Sequence, residues 1–410
     1  MITTDVVIVG GGIIGLSIAK EFISRYPDLQ LTVLEKEATL ASHASGRNSG
    51  VLHAGFYYTP DTLKARFTAE GNKLLTEYCL KNNLSIKRCG KVVVAKDEKE
   101  TESIYELKKR GDKNGVELEV IDEKKLAELE PNAKTHHIAL HSPTTSVINP
   151  KEVTEHIAYC LRKEKVNILL NQKLMRRDDT FTIKSNTQTI KFKYLMNSAG
   201  SYADKIAHQF GAGLDYTLIP FKGLYLEYKD SCFIQKHIYP VPNLNNPFLG
   251  VHFTRTVNGK IKIGPTAIPA FWRENYSRFS NFNLREFIEV FFNEAKLFYT
   301  NAFDFRSLTF EEIKKNRRNY FIQQAASLVK KLDAAKFGDY LNPGIRAQLF
   351  NKVSMKLVMD FVIEHGENSL HILNAVSPAF TSAFSFSKYI IDEAEKAIGL
   401  KTSAKALNNI

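Results

Sequence analysis

The chain has 410 residues, 44% of them hydrophobic and 24% charged, with 27 Phe; this composition excludes a disordered, collagenous or coiled-coil protein and leaves length for two or three lobes. Lys and Arg outnumber Asp and Glu by 56 to 44, a net charge of +12 that suits an anionic membrane face or an acidic substrate, or simply a basic surface that keeps the protein dissolved. The lysines are scattered and no nucleic-acid module signature accompanies them, so no nucleic-acid partner is expected. Cys79, Cys89, Cys160 and Cys232 have neither paired nor metal-ligand spacing, which argues against a disulfide framework or a zinc module and fits a reducing compartment.

The run Asp5 to Val9 reads as a buried parallel strand. Gly10-Gly11-Gly12-Ile13-Ile14-Gly15 follows at once. A helical pattern through Leu16, Ala19, Phe22 and Ile23 then closes at Pro27, and a second strand over 31–34 ends in Glu35, completing a βαβ unit. The apolar stretch from Val6 to Ala19 falls short of the ~20 residues a bilayer span needs and has no basic segment before it. Neither a span nor a signal peptide is expected; the protein is expected in the cytoplasm, with peripheral contact at the inner membrane as a second expectation. A polar, Gly- and Ser-rich loop covers 41–55, with a helix over 64–81, a strand over 90–95 and an exposed charged helix over 102–110. Asn149-Pro150-Lys151-Glu152 is a helix start and predicts a helix to about 163. Strands are predicted over 166–170 and 190–196, the second running into Asn197-Ser198-Ala199-Gly200, where strand turns to helix. From 221 to 268 the pattern is alternating and aromatic, predicting a mostly antiparallel sheet; 281–334 is helix-rich and carries a charge run, Lys314 to Arg318, expected to be a solvated face. A glycine turn at Asn342 to Arg346, a strand near 361–363 and a small-residue loop over 377–382 precede a last helix. No internal repeat is present, which excludes solenoids and propellers.

Gly10, Gly12 and Gly15 form the dinucleotide fingerprint: a tight turn, close approach of backbone to a pyrophosphate, and close packing of helix on strand. The pyrophosphate then meets free N–H groups at a helix N-terminus. Glu35, twenty residues past Gly15, is placed for ribose hydroxyls and against a 2′-phosphate. The fingerprint alone fits FAD or NAD. The loop Ser45-Gly46-Arg47-Asn48-Ser49-Gly50, continuing through Val51-Leu52-His53-Ala54-Gly55, is small and polar enough to lie against a flat ring system, which favours FAD. His136, His137 and His141 lack a carboxylate or Cys at ligand spacing and read as loop residues, so no metal is expected.

Over nearly its whole length the chain resembles the L-2-hydroxyglutarate oxidase/dehydrogenase family, within the glycine oxidase/D-amino-acid oxidase-like superfamily of FAD enzymes. The resemblance is carried by Gly10 to Gly15 with Leu34-Glu35-Lys36, by Asn48 to Gly55 with Tyr57-Tyr58, and by Leu63-Lys64-Ala65 and Cys89-Gly90-Lys91. It continues through Asn197 to Gly200 with Asp204, Pro220 to Gly223 with Tyr225, Tyr239 to Pro242, Phe248 to Thr254, Gly264-Pro265, Gly344 to Gln348 and Asn374 to Ala379. Lys222 stands where the family pattern has Arg, Phe380 interrupts a loop usually built of small residues, and 270–335 matches poorly.

The resemblance implies an α/β protein of two lobes: a Rossmann-like FAD lobe from 1–85, 146–215 and 336–410, and an α+β substrate lobe with an antiparallel sheet from 86–145 and 216–335. It implies non-covalent FAD, held by Gly10, Gly12, Gly15, Glu35, Lys36, Ser45, Arg47, Asn48, Ser49, Gly50, Ala199, Gly200, Gly344, Ser377, Pro378 and Thr381, and a small dicarboxylate substrate, L-2-hydroxyglutarate, oxidised to 2-oxoglutarate. Electrons would pass to a quinone at the membrane or to oxygen. Such a reaction needs a carboxylate anchor and a base. Arg346, in its glycine-flanked turn, is the expected bidentate anchor. His53 and His252 are the candidate bases. Tyr239 and Lys222 are expected near the distal carboxylate. An amine oxidase acting on a glycine- or sarcosine-like substrate is the alternative, and a flavin-bound subunit without activity a third reading.

Overall fold

Val6–Val9 is a strand with all four side chains buried, as an uninterrupted β-branched run requires when both faces of a sheet are covered. The structure, a computed structural model, describes residues 1–242, 250–315 and 317–398; Phe248, Leu249 and Asn316 of the segments above lie outside the described residues. The chain divides into one unit of Met1–Asn48, Pro150–Ile219 and Ala347–Ile410 and a second of Ser49–Asn149 and Pro220–Arg346. The boundaries expected from sequence differ: they put 49–85, 146–149 and 336–346 with the nucleotide lobe and 216–219 with the substrate lobe. Residues 49–85 fall in the second unit because Val51–Leu52 and Ile86–Lys87 both pair with Ser146–Ile148 there.

The first unit is built on a six-stranded sheet in the order Asn167–Leu169, Leu31–Leu34, Val6–Val9, Tyr194–Asn197, Ser369–Asn374, Val362–Gly366. The first five run parallel and the last pairs antiparallel. The chain returns to this sheet on both sides of Val6–Val9, so the strand order reverses between it and Tyr194–Asn197, the place where open α/β sheets leave a crevice beyond their strand ends. The predicted strand over 190–196 is two strands. Thr189–Lys191 joins a separate four-stranded sheet, and Tyr194–Asn197 enters the parallel one, with Phe192 buried between them.

Helix Ile13–Arg25 packs along the last helix, Ala379–Ile398. Lys20 lies over the Phe384 ring and Arg25 pairs with Asp392 and Glu395, so the two helices run in one direction and their N-termini share one end. The small-residue loop is shorter than predicted. The helix starts at Ala379, with Ser382 N–H donating to Pro378 O, so Thr381 sits in its first turn.

The second unit carries an eight-stranded sheet in the order Phe337–Tyr340, Leu226–Tyr228, Ile261–Gly264, His252–Arg255, His237–Pro240, Lys91–Val94, Ile138–Ser142, Glu119–Asp122. It is antiparallel except where Lys91–Val94 runs parallel to His237–Pro240. Alternation sorts its side chains: Val92, Val94, Ile238, Phe253 and Ile263 enter one core with Phe321 and Ala325, and Val93 and Tyr239 enter another with Phe56, Tyr57, Ile104 and Leu107. Ile104 and Leu107 come from helix Glu98–Lys113, longer than predicted and with one buried face. In the helix-rich segment the charge run is solvated at Lys314, Arg317 and Arg318, but Lys315 is buried against Glu312.

A methyl group at Gly15 would meet Gly10 O at 2.0 Å and Ser198 Oγ at 2.6 Å. The backbone at Gly10 is held by its N–H to Leu34 O, so Gly15→Ala is expected to destabilise the first unit by on the order of 3 kcal/mol, read as a lower denaturation midpoint.

Candidate functional site

In the first unit, the strand end, the glycine turn and a helix N-terminus are tied together by few groups. Gly10, at φ +108°, approaches Ser198 so closely that a Cβ would meet Ser198 O at 2.4 Å. Ser198 Oγ donates to Val9 O and Gly10 O (3.1 and 3.2 Å). Glu35 accepts from Gly11 N–H (3.0 Å) and Glu37 N–H (2.9 Å), which fixes its carboxylate beside the turn. Ser45 Oγ accepts from Ile13 N–H (2.9 Å), and a Cβ on Gly12 would meet that oxygen at 3.0 Å. The loop carrying Ser45 is folded on itself: Arg47 Nε donates to Ser42 O, and Asn48 Nδ2 to Ala44 O and Ser45 O. Lys36 contacts Glu37 and His43. Ala199 N–H donates to Asn197 Oδ1, and Gly200, at φ +57°, has open space where a Cβ would be. With Ser377, Pro378 and Thr381 at the head of the last helix, these residues all belong to the first unit; Ser49, Gly50 and Gly344 belong to the second. The two helix N-termini and the reversal of strand order make this end of the sheet an anion-favouring crevice.

In the second unit, register assembles a group of buried bases. Lys91 pairs with His237 across parallel strands, and Ile238 pairs with Phe253, which sets Tyr239 beside His252. Their rings stack at 3.8 Å between centroids. Lys91 is fully buried; its Nζ lies 4.5 Å from the ring centres of Phe56 and Tyr57 and 4.8 Å from that of Tyr239. Among the described residues Lys91 Nζ has no hydrogen-bonding partner. Burial pulls its ammonium down to about 7. His53 joins the group from the segment after Val51–Leu52, whose backbone is pinned by Asn72 Nδ2 donating to Leu52 O and His53 O (3.0 and 3.1 Å).

Each imidazole is held neutral. Burial, then the charges of Lys91, His252, His237 and Arg346, take His53 well below the usual histidine range. His252 falls to about 3, through burial and then Lys91 and Arg346, with its bond to Gly250 opposing. His237 also falls to about 3, through burial, Lys91 and His252. The tautomers follow from the partners. Gly250 O can only accept, so His252 Nδ1 carries the hydrogen (2.8 Å) and Nε2 keeps its lone pair. Arg255 N–H donates to His237 Nδ1 (3.2 Å), so His237 Nε2–H points to Cys89 Sγ (3.2 Å) and both of its nitrogens are used. Burial lowers the Arg346 guanidinium, while Tyr225, Tyr58 and Glu312 act to hold its charge.

The structure relocates several expected residues. Arg346 is on the strand Gly344–Asn351 rather than in a turn, because the chain is already extended at Gly344. Lys222 is half-buried and donates to Asn275 Oδ1 (3.0 Å). His141 is a buried strand residue, not a loop residue. At the surface Glu98 closes on His136 and His137, the three presenting ligand atoms within 4.8 Å of one another, a carboxylate that spacing did not reveal. Sequence reasoning missed Lys91, Phe56, Tyr57, His237 and Asn72 as parts of the site. Alternation would have put Lys91 on a polar row only once its strand partner was known.

A family described as FAD dependent oxidoreductase matches residues 5–393. The L-2-hydroxyglutarate dehydrogenase, mitochondrial, of Nematostella vectensis is 35% identical, over 97% of this chain and 91% of its own length. The human protein of the same name is 33% identical over 97% and 89%. Among solved structures, an FAD-bound L-alpha-glycerophosphate oxidase from Mycoplasma pneumoniae superposes with a TM-score of 0.76 at 23% identity, over 98% of this chain and 96% of that one. Glycine oxidase from Geobacillus kaustophilus gives 0.71 at 15%, over 97% and 95%. These last two establish likeness of fold.

Three buried histidines, His237, His252 and His371, sit at about 3 against an ordinary value of 6.5. The unfolded chain therefore binds more protons between those values. Their stabilisation is complete above about pH 6.5 and is lost as pH falls toward 3, at about 1.4 kcal/mol per pH unit for each group. Unfolding followed against pH should steepen below 6.5, and His371→Gln should make that acid limb shallower by one proton.

Proposed function

Because the chain belongs to the FAD dependent oxidoreductase family, we propose that it oxidises L-2-hydroxyglutarate to 2-oxoglutarate. The observation that carries this reading is the buried group in the second unit. Lys91 and Arg346 both act on His53 and His252, and no carboxylate is among the charges that set either histidine. A site that sets a buried lysine and a partly buried arginine together is suited to an anion with more than one carboxylate.

The first unit fits FAD. Methyl groups at Gly10 or Gly12 would intrude on the turn, Glu35 is fixed beside it, and helix N–H groups face the same end. Gly10, Gly12 and Gly15 with the helix Ile13–Arg25 would hold the pyrophosphate and Glu35 the ribose, without a covalent link. FAD, when bound, supplies the two-electron acceptor for the carbon-bound hydride. Arg346 clamps the carboxylate next to the reacting carbon through its planar fork. His252 Nε2, with its lone pair fixed by the Gly250 contact, accepts the hydroxyl proton; His53 stands beside it as a second base. The rings of Phe56, Tyr57 and Tyr239 exclude water.

No helix among the described residues is long and apolar enough to cross a membrane. Peripheral docking, with a membrane quinone as electron acceptor, is supported by helix Leu284–Thr300. It turns Leu284, Ile288, Phe291, Phe292, Phe298 and Tyr299 to solvent, with Phe292 67% and Tyr299 84% exposed. Arg278, Arg285, Lys296 and Arg306 are exposed on and around it. Apolar side chains ringed by cations suit an anionic bilayer surface.

In anaerobic rapid mixing, L-2-hydroxyglutarate should reduce the flavin faster than its D-enantiomer, L-lactate, glycine or sarcosine; faster reduction by an amine overturns the reading. Arg346→Lys should weaken binding and slow reduction together, and His252→Asn should slow reduction ~10²-fold with FAD retained. The protein should float with anionic vesicles at low salt, and Phe292→Ser combined with Tyr299→Ser should abolish flotation while leaving flavin reduction intact.

A further inference from the structure

Lys91 has the surroundings of a binding group rather than a structural one. A lysine kept for structure meets an acid or sends its ammonium to solvent. Lys91 does neither: it is fully buried, and among the described residues its Nζ has no acceptor. Phe56, Tyr57 and Tyr239 turn toward it at 4.5 to 4.8 Å, which steadies a positive charge without satisfying its N–H groups. The titratable neighbours that feel Lys91 are neutral bases, His53, His237 and His252.

The arrangement also has the polarity that a dicarboxylate needs. His53 and His252 each feel both Lys91 and Arg346, so two cations act on the same pair of imidazoles. In a 2-hydroxy dicarboxylate the hydroxyl is beside one carboxylate and remote from the other. With Arg346 on the near carboxylate and His252 at the hydroxyl, Lys91 is the other cation that acts on both imidazoles and the one without an acceptor among the described residues. Lys222, the residue expected there from sequence, donates to Asn275 Oδ1 instead.

We propose that the caged ammonium of Lys91 receives the carboxylate remote from the carbon being oxidised, and thereby selects a dicarboxylate over a monocarboxylate. This rests on the L-2-hydroxyglutarate reading of the same site. The substrate carboxylate supplies the acceptor that the protein withholds, and the rings keep that contact dry, where a charged hydrogen bond is strongest.

The test compares L-2-hydroxyglutarate with L-2-hydroxypentanoate, which has a methyl group in place of the remote carboxylate, in anaerobic flavin reduction by the holoenzyme. Wild type should favour the dicarboxylate by about 10- to 100-fold in limiting rate over Kd. Lys91→Met, an apolar chain of similar length for an aromatic cage, should bring the ratio to within about threefold by raising Kd for the dicarboxylate alone. Lys91→Gln, which keeps a donor without the charge, serves as the second variant if Lys91→Met does not retain FAD, and should fall between the two. A ratio unchanged in the variant overturns the role of Lys91 while leaving the substrate reading standing. A limiting rate lost equally for both substrates also overturns it, because Lys91 would then serve the proton and not the remote carboxylate. A wild type that shows no preference for the dicarboxylate overturns the substrate reading itself, and the role of Lys91 with it.

Discussion

An ammonium buried without a carboxylate to meet it sets the conditions for the rest of the second unit. Burial lowers Lys91 from 10.5 to about 7, which corresponds to about 5 kcal/mol of charge stabilisation that the resting protein does not recover. Three aromatic faces offset part of the desolvation, at up to ~2 kcal/mol each in a dry site, but they cannot accept its hydrogen bonds. The consequences reach every neighbour. Burial first and that charge second keep His237 and His252 neutral, so their tautomers are set by what the backbone offers: Arg255 N–H for one and Gly250 O for the other. One histidine is thereby fully used and the other keeps a free lone pair. The group is short of negative charge until an anion enters, which is how a site can carry strain in the fold and repay it on binding.

The first unit answers a different constraint, close approach of backbone. Gly10 against Ser198 and Gly15 against Gly10 leave no space for a single methyl group, and Glu35 and Ser45 each engage an N–H of the turn. These contacts draw two strand ends and a helix start together, and the last helix brings a second N-terminus to the same end. The positive ends of two helices then reinforce one another where a dinucleotide phosphate would lie.

The difference between the two units explains what could be read from sequence. The glycine turn is a local device: strand, three glycines, helix and acid fall within the first 35 residues, and each has a local reason for its type. His53 and His252 were recognisable from glycine-rich, apolar contexts in segments that match a family. Lys91 was not, because its meaning comes from pairing with His237 and from rings contributed by Phe56, Tyr57 and Tyr239, all distant in sequence. Arg346 is singled out in the sequence by its chemistry and expected in a turn, since Pro343 and Gly344 look the same before a strand as within a turn. The stretch 190–196 was read as one strand because Phe192 and Lys193 do not interrupt the apolar pattern, and only the pairing partners reveal the break.

Helix Leu284–Thr300 shows why periodicity alone stops short of function. Its sequence separates an apolar stripe from an acidic one, and a soluble protein would ordinarily bury the apolar stripe. Here the acidic stripe faces Arg273. That guanidinium is buried, its Nη2 lies 3.4 Å from Glu289, and its backbone N–H donates to Glu286 at 3.1 Å. A buried arginine needs an acid, and the helix supplies Glu289 to its guanidinium and Glu286 to its backbone N–H, with Val290 and Leu297 as its buried apolar contacts. Phe291, Phe292, Phe298 and Tyr299 are left outside as a result. The same electrostatic rule thus has opposite outcomes in one unit. Where a buried cation is matched, by Glu289 at Arg273, the helix that supplies the acid keeps its apolar side out. Where it is left unmatched, at Lys91, the partner we propose is the remote carboxylate of the substrate.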